Sequence, residues 1–146
     1  MIIRPAQLVD LDNLLPLFEE FCKESLNEYG MQVDANYLRN IATYYVDNTL
    51  VAEVDNKLVG IISGIIVDIP TSGGKVYQEV VWFVSKPYRK YGIKLLNALE
   101  DKCKNEGIKS IMMVAMANSS AAELERFYIK SGFKLLEKQY IKQLGG

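Results

Sequence analysis

The chain has 146 residues, of which 49% are hydrophobic and 24% charged, and a formal net charge of −1. That length suffices for one domain with its own core, and a near-neutral charge argues against a general nucleic-acid binder. The chain has no histidine, which removes Ser-His-Asp triads, Cys-His pairs and most zinc sites and leaves proton transfer to carboxylates, Tyr, Lys, Cys or water.

Met1 to Arg4 reads as a short strand stopped by Pro5, without the layout of a signal peptide. Asp10 to Glu28 carries Leu11, Leu14, Leu15, Phe18, Phe21 and Cys22 at helical spacing. Pro16 falls inside that pattern and predicts a kink or a later start. Asp34 is placed to cap a second helix with Leu38, Ile41 and Tyr45 on one face. Thr49 to Val54 and Lys57 to Ile69 read as strands joined through Asp55-Asn56, a hairpin signal. Leu58 to Val67 is too short to span a bilayer, so a cytoplasmic protein with no membrane partner is expected.

Lys75 to Ser85 predicts a third long strand. A helix follows with Ile93, Leu96, Leu99 and Cys103 on one face, ended by Gly107. Ile108 to Met116 has the composition of a buried central strand. A helix through Leu124, Phe127 and Tyr128 follows Asn118, capped by Asn118, Ser119 or Ser120, and Phe133 to Leu144 predicts a last strand. The order β-α-α-β-β-β-α-β-α-β predicts a single mixed α/β domain over residues 1–146, a central sheet flanked by about four helices. Cys22 and Cys103 lie among apolar residues and read as free buried thiols.

Between the third strand and its helix lies a basic turn containing Lys86, Arg89, Lys90 and Lys94, with Gly92 opening the helix. Helix-start amides and the helix dipole favour an anion there, and a glycine lets backbone approach it closely. The stretch Arg89-Lys90-Tyr91-Gly92-Ile93-Lys94, after Pro87-Tyr88, is joined downstream by Asn118, Phe127-Tyr128 and Gly132-Phe133-Lys134. In these two motifs, and in the order of its elements, the chain resembles the GNAT superfamily of N-acetyltransferases. Lys94 departs from the family pattern, which has Gly or Ala at that position.

The resemblance implies a GNAT-like fold that binds acetyl-CoA as cosubstrate, without a metal, in a gap between the strands ending near Val84 and Met116. Val84 would bond the pantetheine arm, the main chain of Arg89, Lys90, Tyr91, Gly92, Ile93 and Lys94 would cradle the pyrophosphate, and Asn118 would bond the cofactor. It implies direct acetyl transfer to a primary amine, with Tyr128 as the acid that protonates the leaving sulfur. Deprotonating a lysine-type amine at pH 7 costs roughly 4.6 kcal/mol, so a base helps. Glu79, a carboxylate in an apolar strand, is the candidate, against the plainer reading of a surface carboxylate. A catalytically silent acyl-CoA-binding or sensor module is the alternative function, and a nucleic-acid site on Tyr88 and Tyr91 a third. Glu28, Asp34, Asp68 and Glu79 would suit a cationic acceptor if they shared an entrance, and the final strand could pair across a homodimer.

Overall fold

A computed structural model describes residues 1–118 and 120–145. Five strands, β1 (Ile2–Pro5), β2 (Thr49–Val54), β3 (Lys57–Asp68), β4 (Lys75–Val84) and β5 (Ser110–Met112), form one sheet in the order β1-β2-β3-β4-β5. All neighbours are antiparallel except β4 and β5, which run parallel. Four α-helices accompany it: α1 (Leu11–Ser25), α2 (Ala35–Tyr45), α3 (Gly92–Asn105) and α4 (Ala121–Lys130).

Local chemistry accounts for most of these boundaries. Asp55 and Asn56 take positive φ values of 49° and 64°, the backbone that a two-residue turn needs between twisted strands. The Asp34 carboxylate accepts the Tyr37 N–H at 3.0 Å, capping α2. Helix α1 begins at Leu11 and runs through Pro16 to Ser25, so the proline does not delay its start. Gly132, with φ 92°, follows the end of α4.

The sheet carries two cores. Leu14 and Leu17 of α1 pack on Val51, Leu58, Ile61 and Phe83. On the opposite face Leu95, Leu96, Leu99 and Cys103 of α3 pack on Leu50, Ala52, Val59, Ile62, Tyr77 and Val84. Ile93, expected on that buried face, is 49% exposed, and Leu95 takes its place. Helix α2 buries no residue fully. Its apolar side, including Leu38 and Ile41, lines a cavity of about 330 Å³ between α1, α2 and the sheet.

Two expectations about strands are corrected. The apolar run from 108 to 116 supplies only Ser110–Met112 as a strand, because its ladder with β4 stops at Gln78↔Met112. The cause lies in β4, where the register with β3 shifts between Ser63 and Gly64 and leaves Val80 without a partner. Such a bulge bends and twists its strand, so β4 turns away from the chain that follows Met112. The last strand expected at 133–144 is likewise absent. Leu135, Leu136, Tyr140 and Leu144 are each at least 70% exposed, so an apolar composition there finds no partner to make a ladder.

Gly64 is dictated by this geometry. A Cβ on it would lie 2.2 Å from the Gln78 carbonyl oxygen and 2.6 Å from the Tyr77 ring. Glycine thus permits the close crossing of β3 and β4 beside the bulge.

Candidate active site

Where the β4–β5 ladder ends, the two strands part and form a fork. Glu79 is the first residue of β4 beyond the last paired rung. It is 6% exposed, which excludes the surface reading. Burial pushes its carboxyl up to about 7, opposed by a backbone hydrogen bond from Val114. The Tyr128 hydroxyl donates to the Val114 carbonyl at 2.8 Å. Burial, and then the Glu79 charge, raises the Tyr128 phenol above its ordinary value, so it stays protonated near neutrality. Val114 therefore joins a carboxyl that ionises near neutral pH to a phenol that holds its proton. Trp82, with its ring 6.2 Å from that of Tyr128, walls the same side.

The basic turn lies at the end of β4. It is a 3-10 helix over Lys86–Tyr91 that runs directly into α3. The Arg89 guanidinium is already engaged. Its Nε donates to the Val84 carbonyl at 3.2 Å, Nη2 meets both Glu24 oxygens at 2.6 and 2.7 Å, and the group lies over the Phe83 ring. Glu20, one turn earlier on α1, accepts from the Ser85 hydroxyl and from the Lys86 amide. Lys90 and Lys94 bring their ammonium groups over the Tyr91 ring at 5.2 and 5.7 Å. Lys94 thus folds back as an additional cation beside the turn.

Gly92 is buried, with a helical φ of −59°. A Cβ there would meet Trp82 and Val84 at 3.7 Å, an ordinary contact. Its missing side chain faces the core, so the expected reason for the glycine, close approach to phosphate, is not the geometry found. The Trp82 indole N–H donates to the Gly92 carbonyl at 3.2 Å, fixing the helix start on β4. The Gly92 N–H itself donates to the Arg89 carbonyl, one of the weaker bonds of a 3-10 turn.

Asn118 accepts the Ser120 N–H at 3.0 Å and donates to the Ser25 hydroxyl at 3.3 Å. It shapes the entry to α4 and ties it to α1. Ser120 occupies the cap position without a side-chain bond, and Ser119 lies outside the described residues. The acidic residues expected to share an entrance do not converge. Glu28 is exposed, Asp68 pairs with Lys75, Glu79 is buried at the fork, and Asp34 alone lines the cavity.

The fork is an open strand edge ending at a cationic turn, a shape that can take an extended ligand with an anionic end. The acetyltransferase (GNAT) family model matches residues 11–133. The chain belongs to this family. No curated protein sequence gives a significant match. Solved structures share the GNAT fold over nearly the full chain. A ribosomal-protein-alanine N-acetyltransferase from Brucella melitensis biovar Abortus 2308 is 20% identical, with a TM-score of 0.78 and 98% of each chain covered. A Trypanosoma brucei acetyltransferase is 22% identical, with a TM-score of 0.73 over 98% of this chain and 99% of its own. An aminoglycoside acetyltransferase from an uncultured soil metagenomic sample is 16% identical, with a TM-score of 0.74 over 99% of this chain and 100% of its own. At these identities the likeness is one of fold.

Sequence reasoning missed Glu20, Glu24, Ser25 and Val114. The two glutamates stand four apart on a helix, which in sequence looks like a solvated face. Val114 acts through its backbone, which carries no sequence signal. Among the described residues no helix is long and apolar enough to cross a membrane.

Proposed function

We propose that this GNAT protein transfers an acetyl group from acetyl-CoA to a primary amine. The observation that carries the reading is the fork itself, with Glu79 and Tyr128 sharing Val114 at its apex and a cationic turn at the end of β4. Acetyl-CoA would supply an activated thioester. Lys90, Lys94 and the main chain of the Arg89–Lys94 segment would hold its pyrophosphate, in competition with the weak 3-10 bonds. The edge of β4 near Val84 would run beside the pantetheine arm, and the Asn118 amide would reach it by releasing Ser25.

Glu79 would take the proton of the attacking amine. A carboxyl near 7 is ionised in part at neutral pH and is a stronger base than an ordinary glutamate. Tyr128 would give its proton to the departing sulfur, exchanging its present acceptor for the thiolate. Its raised pKa keeps that proton available. Neither cysteine is required, and burial pushes the Cys103 thiol up to about 11, away from nucleophilic use.

The test is thiol release from acetyl-CoA across a panel of amines, run beside thermal shift with CoA alone. Release that depends on an amine supports the reading. A thermal shift by CoA without release above background for any amine would favour an acyl-CoA-binding module instead.

A further inference from the structure

The cavity between α1, α2 and the sheet extends to Val80 and Val81, the stretch of β4 at the bulge beside the fork. Its walls are apolar, formed by Leu14, Phe18, Phe21, Leu38, Ile41 and Val81. Asp34 is the single carboxylate among its lining residues, and it is spent on capping α2. A polycation would find little to replace its water there. At about 330 Å³ the cavity holds the liquid share of about eleven waters, at ~30 Å³ each.

The floor is polar in one sense only. Thr49 and Ser63 are 4% exposed each, and their hydroxyl oxygens lie 2.5 Å apart. The Thr49 hydroxyl also bonds the Tyr45 carbonyl at 2.6 Å. A carbonyl cannot donate, so the one Thr49 hydrogen goes to Tyr45. Ser63 must then be the donor to Thr49, and its hydrogen is spent as well. What remains on these oxygens is acceptor capacity. Ser63 lies one strand from β4 and Thr49 two, at about 4.8 Å per strand.

From this geometry we infer that the acceptor is an amine with an apolar body of about one to two aromatic rings, since about 150 Å³ already holds one ring, and a hydrogen-bond donor at its far end. The amine would lie at the fork by Val80, the body between α1 and α2, and the donor against Ser63 and Thr49. The inference rests on the acetyl-transfer reading of the same fork. It narrows the cationic amine that the four acidic residues suggested in sequence to one whose single charge is the reacting amine itself.

The experiment compares phenethylamine, 4-hydroxyphenethylamine, 4-methoxyphenethylamine and spermidine. Each is measured by calorimetric binding to the CoA-saturated protein and by thiol release from acetyl-CoA. The hydroxyl compound is expected to bind about tenfold tighter than the methoxy compound, the worth of one hydrogen bond, and spermidine not measurably. In Ser63→Ala the hydroxyl preference should shrink to within about twofold while phenethylamine binding is kept. Should that variant fail to fold, the wild-type ranking alone decides. Equal binding of the hydroxyl and methoxy compounds, or preference for spermidine, would overturn the inference. So would faster turnover with hexanoyl-CoA than with acetyl-CoA, which would assign the cavity to the acyl chain. Binding in the predicted order without thiol release would instead refute acetyl transfer and leave the pocket assignment standing.

Discussion

Replacing Glu79 by Gln should make the protein more stable at pH 8 and less dependent on pH. Glu79 is almost fully buried, and burial moves its carboxyl from 4.5 to about 7. Between those values the unfolded chain has lost the proton and the folded chain keeps it. The unfolded state therefore binds fewer protons, and stability falls as pH rises through this window. At 1.36 kcal/mol per pH unit the loss of stability amounts to about 3 kcal/mol, nothing below pH 4.5 and complete above about 7. Glutamine resembles the protonated acid in shape and cannot ionise. The melting temperature of Glu79→Gln minus that of the wild type should thus grow between pH 5 and 8 by roughly 6–12 °C, at about 2–4 °C per kcal/mol for a domain of this size. Taking the difference cancels the other titrating groups. Thiol release by the wild type should rise with an apparent pKa near 7, and the variant should lose that rise. A melting difference that stays flat from pH 5 to 8 would refute the burial argument. A flat difference in activity alone would remove Glu79 as the base and leave its burial intact.

Gly64→Ala should cost about 3 kcal/mol or more in urea denaturation, because the new methyl meets the Gln78 carbonyl in a crossing that cannot open without breaking the β3–β4 pairing. An unchanged midpoint would show that the strands do not cross so closely. Tyr128→Phe leaves the Val114 carbonyl without its hydroxyl partner, at about 1–2 kcal/mol. In thiol release it should lower turnover by about a hundredfold while the thermal shift with CoA is retained. Glu24→Gln removes one carboxylate from the basic turn and loosens Arg89. CoA titrations at low salt should give about two- to fivefold tighter binding, falling away as salt is added.

Much of the fold is legible in the sequence because it is set locally. The Asp55-Asn56 turn, the Asp34 cap and the apolar spacing of α1 and α3 each depend on a few adjacent residues. The shortened β5 and the missing last strand do not. Residues 108–116 and 133–144 have strand composition, but a strand exists through its partner. For 113–116 the partner is withdrawn by a bulge at Val80, some thirty positions away in the chain, and 133–144 makes no ladder among the described residues. Glu79 illustrates the same limit from the other side. Its neighbours in sequence allow a solvent-facing carboxylate, and only the meeting of β4 with Val114 and Tyr128 buries it. The cavity is equally invisible, since Phe18, Leu38 and Ile41 have the spacing of residues that close a core. Nothing in a periodicity distinguishes side chains that touch across an interface from side chains that face each other across a gap.

Charge is where reading along the chain misleads most. Four cations within nine residues, Lys86, Arg89, Lys90 and Lys94, suggest a strong anion site. In space Glu20 and Glu24 of α1 stand against the same turn, and Arg89 is held by Glu24, Val84 and Phe83. Arg89 thereby joins the turn, the end of β4 and α1, and its charge is largely compensated before any phosphate arrives. Among the described residues the ammonium groups of Lys86, Lys90 and Lys94 make no ion pair, and Lys90 and Lys94 gather over Tyr91. Lys94, the residue that departs from the family pattern, is thus one of the three lysines that leave positive charge at the turn. Helix α1 meanwhile walls the cavity proposed for the acceptor with Leu14 and Phe18 and grips the turn proposed for the donor with Glu20 and Glu24. On the proposed reading one helix would therefore set the distance between the two substrates, which a direct transfer has to hold to within bonding range.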